Sequence, residues 1–324
     1  MNAYVATGYG PPEVVELQEV DTPRAGPNEV LIRIQATTVS AGDWRLRSLD
    51  MPAAFRLFAR LAFGWKKLRQ PILGTEFVGE IAEVGAEVER FAVGDVVCGF
   101  ADPQRGAHAE YIAILEDAPL TLKPASLSTE EAAALGFGGL TASAFFRRGR
   151  LVPGDRILIN GASGAVGTAA IQLAKYHGAH VTAVCSGRNA ELVRSLGADE
   201  VVDYTQTSIA DLAPAFDIVM ENAASLQLSD ALHLLRPGGR LLMVNGSPGD
   251  LLRSPWVAWR TGKDIVAGPS TSSATDLNTL ASLAEAGQYR PVVDRVYPFE
   301  SMIEAHRYVD TGRKRGNVVV RVQA

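Results

Sequence analysis

Residues 155–204 read DRILINGASGAVGTAAIQLAKYHGAHVTAVCSGRNAELVRSLGADEVVDY, and this stretch decides the fold. The apolar run at 156–160 has the length of a buried strand, 165–176 carries apolar residues at helical spacing, and a second strand is expected at 180–185. Between the first strand and the helix stand Gly161, Ala162, Ser163, Gly164, Ala165, Val166 and Gly167. Glycine lets the backbone turn sharply and approach an anion with no Cβ in the way. The helix that follows presents unpaired N–H groups and the positive end of its dipole. An isolated glycine pattern of this kind is often only a tight turn. Here the flanking strand, helix and second strand favour a cradle for the diphosphate of a dinucleotide.

The end of the second strand selects the dinucleotide. A carboxylate there would hold an NAD ribose by its 2′-hydroxyl and repel a 2′-phosphate. This chain instead has Cys185, Ser186, Gly187 and Arg188. Ser186 can donate a hydrogen bond and Arg188 can pair with phosphate in two-pronged fashion, so NADP(H) is favoured. The plain alternative is that Arg188 is a solvated residue opening the next helix.

Further along, the pattern predicts a helix at 190–196, strands at 200–202 and 217–221, a helix at 226–235 and a strand at 240–245. Strands alternating with helices of this length imply a parallel, doubly wound sheet, because parallel neighbours need a long crossover. The N-terminal third reads differently. Short β runs at 30–34, 80–83, 96–98 and 109–114, broken by Gly and Pro, predict a small β-rich barrel. A helical insert is expected at 45–68, where Trp44, Phe55, Phe58, Phe63 and Trp65 would line an apolar pocket or simply fill the core. The tail, with helices at 277–286 and 300–309 and strands at 292–296 and 317–322, has no evident core of its own. It is expected to pack back onto the barrel, making the nucleotide domain an insertion.

Bulk properties exclude several classes. The chain has 324 residues, 47% of them hydrophobic, which suffices for two cores. Thirty-one Lys and Arg against 36 Asp and Glu give a net charge of −5, which argues against nucleic acid as a partner. Two cysteines, Cys98 and Cys185, are too few for a disulfide framework or a four-thiolate zinc. No apolar stretch suits a signal peptide or a membrane span, so the expected compartment is the cytoplasm.

The segment 155–204, together with LLRPGGRLLMVNG from Leu234, VGAEVERFAVGDVV from Val84 and RKRGNVVVRV from Arg313, resembles the zinc-independent quinone oxidoreductase branch of the medium-chain dehydrogenase/reductase superfamily. The likeness runs over nearly the whole chain. It implies an α/β protein with a GroES-like β-rich catalytic domain (1–120 and 271–324) and a Rossmann domain with a doubly wound parallel sheet (121–270). A cleft between them would hold the nicotinamide. By the same resemblance Ser186, Arg188 and Tyr204 surround the adenosine 2′-phosphate. Thr141, Val166, Asn245, Gly246 and Ser247 lie near the nicotinamide and its ribose, Asn317 reaches the cofactor, and Asn222 belongs with the cofactor-binding set. For Tyr204 an ordinary half-buried loop aromatic is the alternative. A homodimer joined through the last Rossmann strand near 265–268 is also implied.

Zinc-dependent relatives carry a Cys in the early loop, a Gly-His-Glu motif and a later Cys. Those places here read Ser40 to Asp43 and Gly74, Thr75, Glu76, so a catalytic zinc is not expected. His177 and His180, three apart, straddle a helix end and a strand start and are expected at the surface. Without a metal to polarise an oxygen, the suitable acceptor is one that already draws hydride: a quinone or an α,β-unsaturated carbonyl. The family's early-loop Asn-Pro-x-Asp is replaced by Ser40, Ala41, Gly42, Asp43. Ser40 and Asp43 are candidate catalytic residues, with Ser40 bonding the acceptor carbonyl or a ribose; the alternative is that they cap the helix starting near Gly42. Tyr111 and His108, in GAHAEY, are candidate proton donors beside solvent. The remaining alternatives are a 2-enoyl thioester or alkenal reductase, and a low-turnover NADPH-binding regulatory protein.

Overall fold

The computed structural model describes residues 1–49, 53–245, 248–269 and 271–322. The chain opens with β1 (Asn2–Ala6) and β2 (Val15–Glu19), an antiparallel pair. There follow β3 (Glu29–Val39), α1 (Ala41–Ser48), α2 (Ala53–Phe63), β4 (Glu76–Val84), β5 (Val96–Phe100), β6 (Tyr111–Leu115), β7 (Leu120–Leu122) and α3 (Thr129–Ala133). Next come α4 (Gly136–Arg148), β8 (Arg156–Asn160), α5 (Ala165–Tyr176), β9 (His180–Cys185), α6 (Ala190–Ser195), β10 (Glu200–Asp203), β11 (Phe216–Glu221), α7 (Leu228–His233), β12 (Leu235–Met243), α8 (Pro248–Thr261) and β13 (Asp264–Ala267). The tail holds α9 (Ala274–Glu285), β14 (Val293–Pro298), α10 (Met302–Asp310) and β15 (Asn317–Arg321).

Two compact units result, Met1–Phe137 with Ser273–Ala324, and Gly138–Ser272. In the first, the strand order is β14-β15-β3-β4-β5-β7, with β6 also on β3. The long strand β3, rich in β-branched residues and buried along most of its length, is the spine. Its inner face packs Ile32 and Ile34 with Phe77, Ile81, Val97 and Leu120. The tail enters this unit as anticipated: β15 runs antiparallel to β3, while Phe299, Met302, Val309, Val318 and Val320 share a core with Tyr4, Val39 and Leu46. The unit extends to Phe137 and not to the expected 120, because β7 pairs with β5 and α3 packs on β3 and β4. Ser128 and Glu131 close a capping box that fixes the start of α3.

In the second unit six strands run parallel in the order β10-β9-β8-β11-β12-β13. The order reverses between β8 and β11, and in such sheets ligands bind beyond the carboxyl ends of the strands at that point. Leu158, Val184, Val219 and Leu241 fill one face with Leu232 and Leu234. The elements expected at 156–160, 165–176 and 180–185 appear with those bounds. The strand expected at 240–245 starts earlier, at Leu235, because Leu235 already pairs with Phe216 across a bulge. Within the insert Trp44 and Phe63 pack against the first unit's core and Trp65 is exposed, while the side chains of Phe55 and Phe58 lie outside the described residues.

Candidate functional site

The glycine turn sits where β8 ends, at the switch point of the second unit. Gly161 has φ +73°, the left-handed region that favours glycine. A Cβ on Gly167 would stand 2.3 Å from the carbonyl oxygen of Gly161 and 2.6 Å from Cα of Ala162, so only glycine lets α5 begin this close to the turn. Gly164 is the N-cap of α5 and supplies no side-chain acceptor, which leaves the first-turn N–H groups without a side-chain cap. Ala162, Ala165 and Gly167 are buried, whereas Gly161, Ser163, Gly164 and Val166 are partly open. Thr141 is buried on α4.

Two residues that sequence reasoning passed over hold this turn. Asn160 accepts from the backbone N–H of Gly161 at 3.0 Å and donates to Glu221 at 2.8 Å and to Ser225 at 2.9 Å. Glu221, buried, accepts in turn from the backbone N–H groups of Ala223 (2.6 Å), Ala224 (2.8 Å) and Leu226 (3.2 Å). The carboxylate thus gathers the loop after β11 against the glycine turn. The available signal was a polar residue closing each of two apolar strands. Asn222 follows, and both polar atoms of its side chain are buried with no partner among the described residues. Asn245 donates to its carbonyl at 3.3 Å. Gly246 and Ser247 lie outside the described residues. An uncapped helix start, a turn that only glycine fits at Gly161 and Gly167, and an unpartnered amide together fit a bound dinucleotide.

At the end of β9, Ser186 is half-buried and Arg188 exposed. Tyr204, also exposed, is brought beside them by its N–H, which donates to the carbonyl of Cys185 at 3.2 Å. Asp203 lies in the same corner. It accepts from the N–H and hydroxyl of Thr205 at 3.0 and 2.8 Å, and these bonds together with the Gly187 N–H hold its carboxyl below the usual range.

In the first unit Ser40 caps α1 and forms a capping box with Asp43. The Ser40 hydroxyl donates to Asp43 Oδ2 at 2.7 Å and accepts from the Asp43 N–H at 3.2 Å. The other carboxylate oxygen of Asp43 accepts from the N–H of Gly74 at 2.9 Å. The hydroxyl proton of Ser40 is therefore committed within the pair. Tyr111 is not brought to it: Tyr111 pairs with Arg33, and Arg33 to Ser40 along β3 is roughly 20 Å. His108 is fully buried, with Nε2 2.9 Å from the carbonyl oxygen of Thr38. A carbonyl only accepts, so Nε2 carries the proton and spends it there. Asn317 is buried and its amide donates to the carbonyl of Val292 at 3.1 Å. His177 is exposed and His180 half-buried.

Two side chains of this unit with metal-ligand chemistry, Cys98 and Glu76, are poor donors. Burial pushes the Cys98 thiol up to about 12, which disfavours the thiolate a metal needs. Glu76 is buried, accepts from the Thr38 hydroxyl at 2.6 Å and from the N–H of Phe137, and desolvation raises its carboxyl to about 7. Half-buried Lys314 is lowered to about 8, chiefly by desolvation, against the pull of Glu76 and Asp294. Among the described residues no cluster of three His, Cys, Asp or Glu side chains is placed to hold a metal ion.

A parallel sheet that opens a glycine turn at its switch point, in one chain with a β-rich unit built from both chain ends, is the architecture of a two-unit protein of the dinucleotide-binding kind. Residues 26–153 match the alcohol dehydrogenase GroES-like domain and residues 196–320 the zinc-binding dehydrogenase domain. The mitochondrial NAD(P)H oxidoreductase RTN4IP1 of Mus musculus is 34% identical over 354 positions, covering 99% of this chain and 89% of that protein. The 2-methylene-furan-3-one reductase of Solanum lycopersicum is 31% identical over 99% of this chain and 79% of its own. The solved structure of the quinone oxidoreductase from Coxiella burnetii superposes with a TM-score of 0.88 at 26% identity, covering 100% of this chain and 99% of the other. The chain belongs to the medium-chain dehydrogenase/reductase superfamily, in its quinone-oxidoreductase-like branch.

Proposed function

We propose that this protein is an NADPH-dependent, zinc-independent reductase of quinones and α,β-unsaturated carbonyls. The observation that carries the reading is the Gly161–Gly167 turn beneath the open start of α5, where Gly161 takes a left-handed φ and Gly167 has no room for a Cβ, so that uncapped helix N–H groups stand at the switch point of the sheet. When bound, the coenzyme supplies the hydride. The turn and the first N–H groups of α5 would hold its diphosphate, Asn222 and Asn245 offer polar partners nearby, and Ser186, Arg188 and Tyr204 would take the adenosine 2′-phosphate.

The acceptor class follows from what the first unit lacks. Ser40 is bonded to Asp43, His108 to Thr38, and no metal cluster stands among the described residues, so neither of those two side chains is free to polarise a simple carbonyl. An acceptor that draws hydride unaided needs only to be oriented and kept from water, and solvent can deliver the proton. The names of two relatives, a chloroplastic quinone-oxidoreductase homolog of Spinacia oleracea and the methylene-furanone reductase, are consistent with that class. We place a homodimer contact on the edge strand β13, whose Ile265, Val266 and Ala267 are half-exposed.

Titration of the purified chain with NADPH and NADH tests the coenzyme, and a panel of quinones, enones and aldehydes tests the acceptor. Arg188→Ala is expected to weaken NADPH about tenfold or more and NADH little. Equal losses would overturn the NADP(H) assignment, turnover of saturated aldehydes alone would overturn the acceptor class, and stoichiometric zinc in elemental analysis would overturn metal independence.

A further inference from the structure

Asn189 occupies none of the positions assigned so far, yet it touches two of them. It closes the short turn after β9 and is 5% exposed. Its amide nitrogen donates to Ser163 Oγ at 3.0 Å, in the diphosphate turn, and to Ser186 Oγ at 3.3 Å, at the end of β9. Its amide oxygen is buried and has no partner among the described residues.

The direction of these bonds has a chemical consequence. A hydroxyl that accepts from an amide keeps its own proton for another acceptor. Neither Ser163 nor Ser186 donates that proton to a described residue, so both hydroxyls are left as donors without an acceptor. With the amide reversed, both serine protons would turn inward onto its oxygen, and an NH2 with two hydrogens would be stranded in place of one carbonyl oxygen. The observed orientation strands the smaller group. Asp203 holds a carboxylate against Gly187, one residue from Ser186, and repels an anion settling there, so binding a 2′-phosphate requires donors turned toward it to offset that repulsion.

We infer that Asn189 is a positioning residue for coenzyme selection: it holds Ser163 and Ser186 with their hydroxyl protons free, one for the diphosphate and one for the 2′-phosphate. The inference rests on the NADPH reading above and adds the group that sets the polarity of its two serines.

Asn189→Asp has nearly the same shape but offers only acceptors, so both serines must donate inward. Asn189→Ala leaves them free to rotate. The test titrates the full chain and these variants with NADPH and NADH and records their melting temperatures. NADPH binding should weaken in the order Asp worse than Ala, with Asn189→Asp losing about tenfold to a hundredfold. NADH should lose less, because it lacks the 2′-phosphate that Ser186 serves. A role in packing alone would give the reverse order, Ala worse than Asp, with both coenzymes weakened in step with melting temperature, and that result overturns the proposal. A double-mutant cycle separates the mechanism from simple repulsion by the new carboxylate. If Asn189 acts through Ser186, Ser186→Ala alone should reproduce much of the NADPH-specific loss, and adding it to Asn189→Asp should cost little more. Full additivity, or unchanged NADPH affinity in Asn189→Asp, overturns the proposal. Should Asn189→Asp not fold, Asn189→Ala with Ser186→Ala decides by the same cycle. The unmutated chain decides the parent reading separately: failure to bind NADPH, or preference for NADH, would sink that reading whatever the variants do.

Discussion

Arg47 and Asp310, 263 residues apart in sequence, close an ion pair in which one guanidinium nitrogen donates to both carboxylate oxygens, at 2.5 and 2.6 Å, and so ties α1 to α10. The Arg47 side chain has no exposure to solvent, whereas Asp310 keeps 25%. A second guanidinium nitrogen donates to the carbonyl of Gly10 at 2.6 Å. Removing one partner of a buried pair strands the other charge, at a cost of roughly 3–5 kcal/mol. Asp310→Ala should therefore lower the melting temperature sharply, while the double variant Arg47→Met with Asp310→Ala should recover a large part of the loss. Denaturant unfolding monitored in both variants checks this; a double variant no more stable than Asp310→Ala would refute it.

The glycines of the cradle should separate by what they meet. Gly167→Ala drives a Cβ into the backbone of Gly161 and Ala162, so it should destabilise the second unit and abolish coenzyme binding. At Gly164 a Cβ would have its nearest neighbour at 3.6 Å, an ordinary contact. Gly164→Ala should keep the wild-type melting temperature and lose affinity only through crowding of the bound diphosphate. Equal melting temperatures for the two variants would contradict this distinction.

These cases show where sequence is readable. Asp155 to Asp203 could be parsed because each strand, turn and helix is a local run whose period and glycines declare it, and three of its elements fell within their predicted bounds. The β1–β2 pair and the start of β12 depend on partners in other elements of the chain, and a five-residue strand such as Asn2–Ala6 has no local pattern to announce it. The cradle glycines were legible for the same local reason. Asn160, Glu221 and Asn189 were not, because their role is to bridge loops that only the folded sheet brings together. Where Tyr111 lies relative to Ser40 was likewise not legible, because only the pairing of β6 with β3 sets it, opposite Arg33.

Ser40 and Asp43 illustrate how a capping box resembles a catalytic pair in sequence. Since the Ser40 hydroxyl donates to Asp43, Ser40→Ala should cost about 1 kcal/mol of stability, as loss of an N-cap does, and change kcat by less than about tenfold. Asp43→Ala should be worse, because it leaves the N–H groups of Ser40 and Gly74 unpaired in a buried setting, at roughly 1–3 kcal/mol each. Steady-state rates taken well below each variant's melting temperature check the point. A hundredfold fall in kcat for Ser40→Ala at unchanged stability would restore the hydroxyl to a catalytic role.

Glu76 gives the fold a pH dependence whose sign can be worked out. Its carboxyl lies at about 7 in the folded chain against 4.5 for the ordinary group, with desolvation as the main cause. Between those values the folded state keeps a proton that the unfolded state releases, so stability falls as pH rises from about 4.5 to about 7 and levels off above. A displacement of this size corresponds to at most about 3 kcal/mol. Glu76→Gln can still accept from the N–H of Phe137 through its carbonyl oxygen and can donate its amide to the Thr38 hydroxyl, which reverses to accept, but it cannot ionise, so its melting temperature should decline less over that interval than the wild type's. Calorimetric scans of both proteins at intervals from pH 5 to pH 8 measure the difference directly. Parallel curves would mean that Glu76 ionises without penalty, and the burial that walls it off from water in the first unit would then have to be less complete than its surroundings indicate.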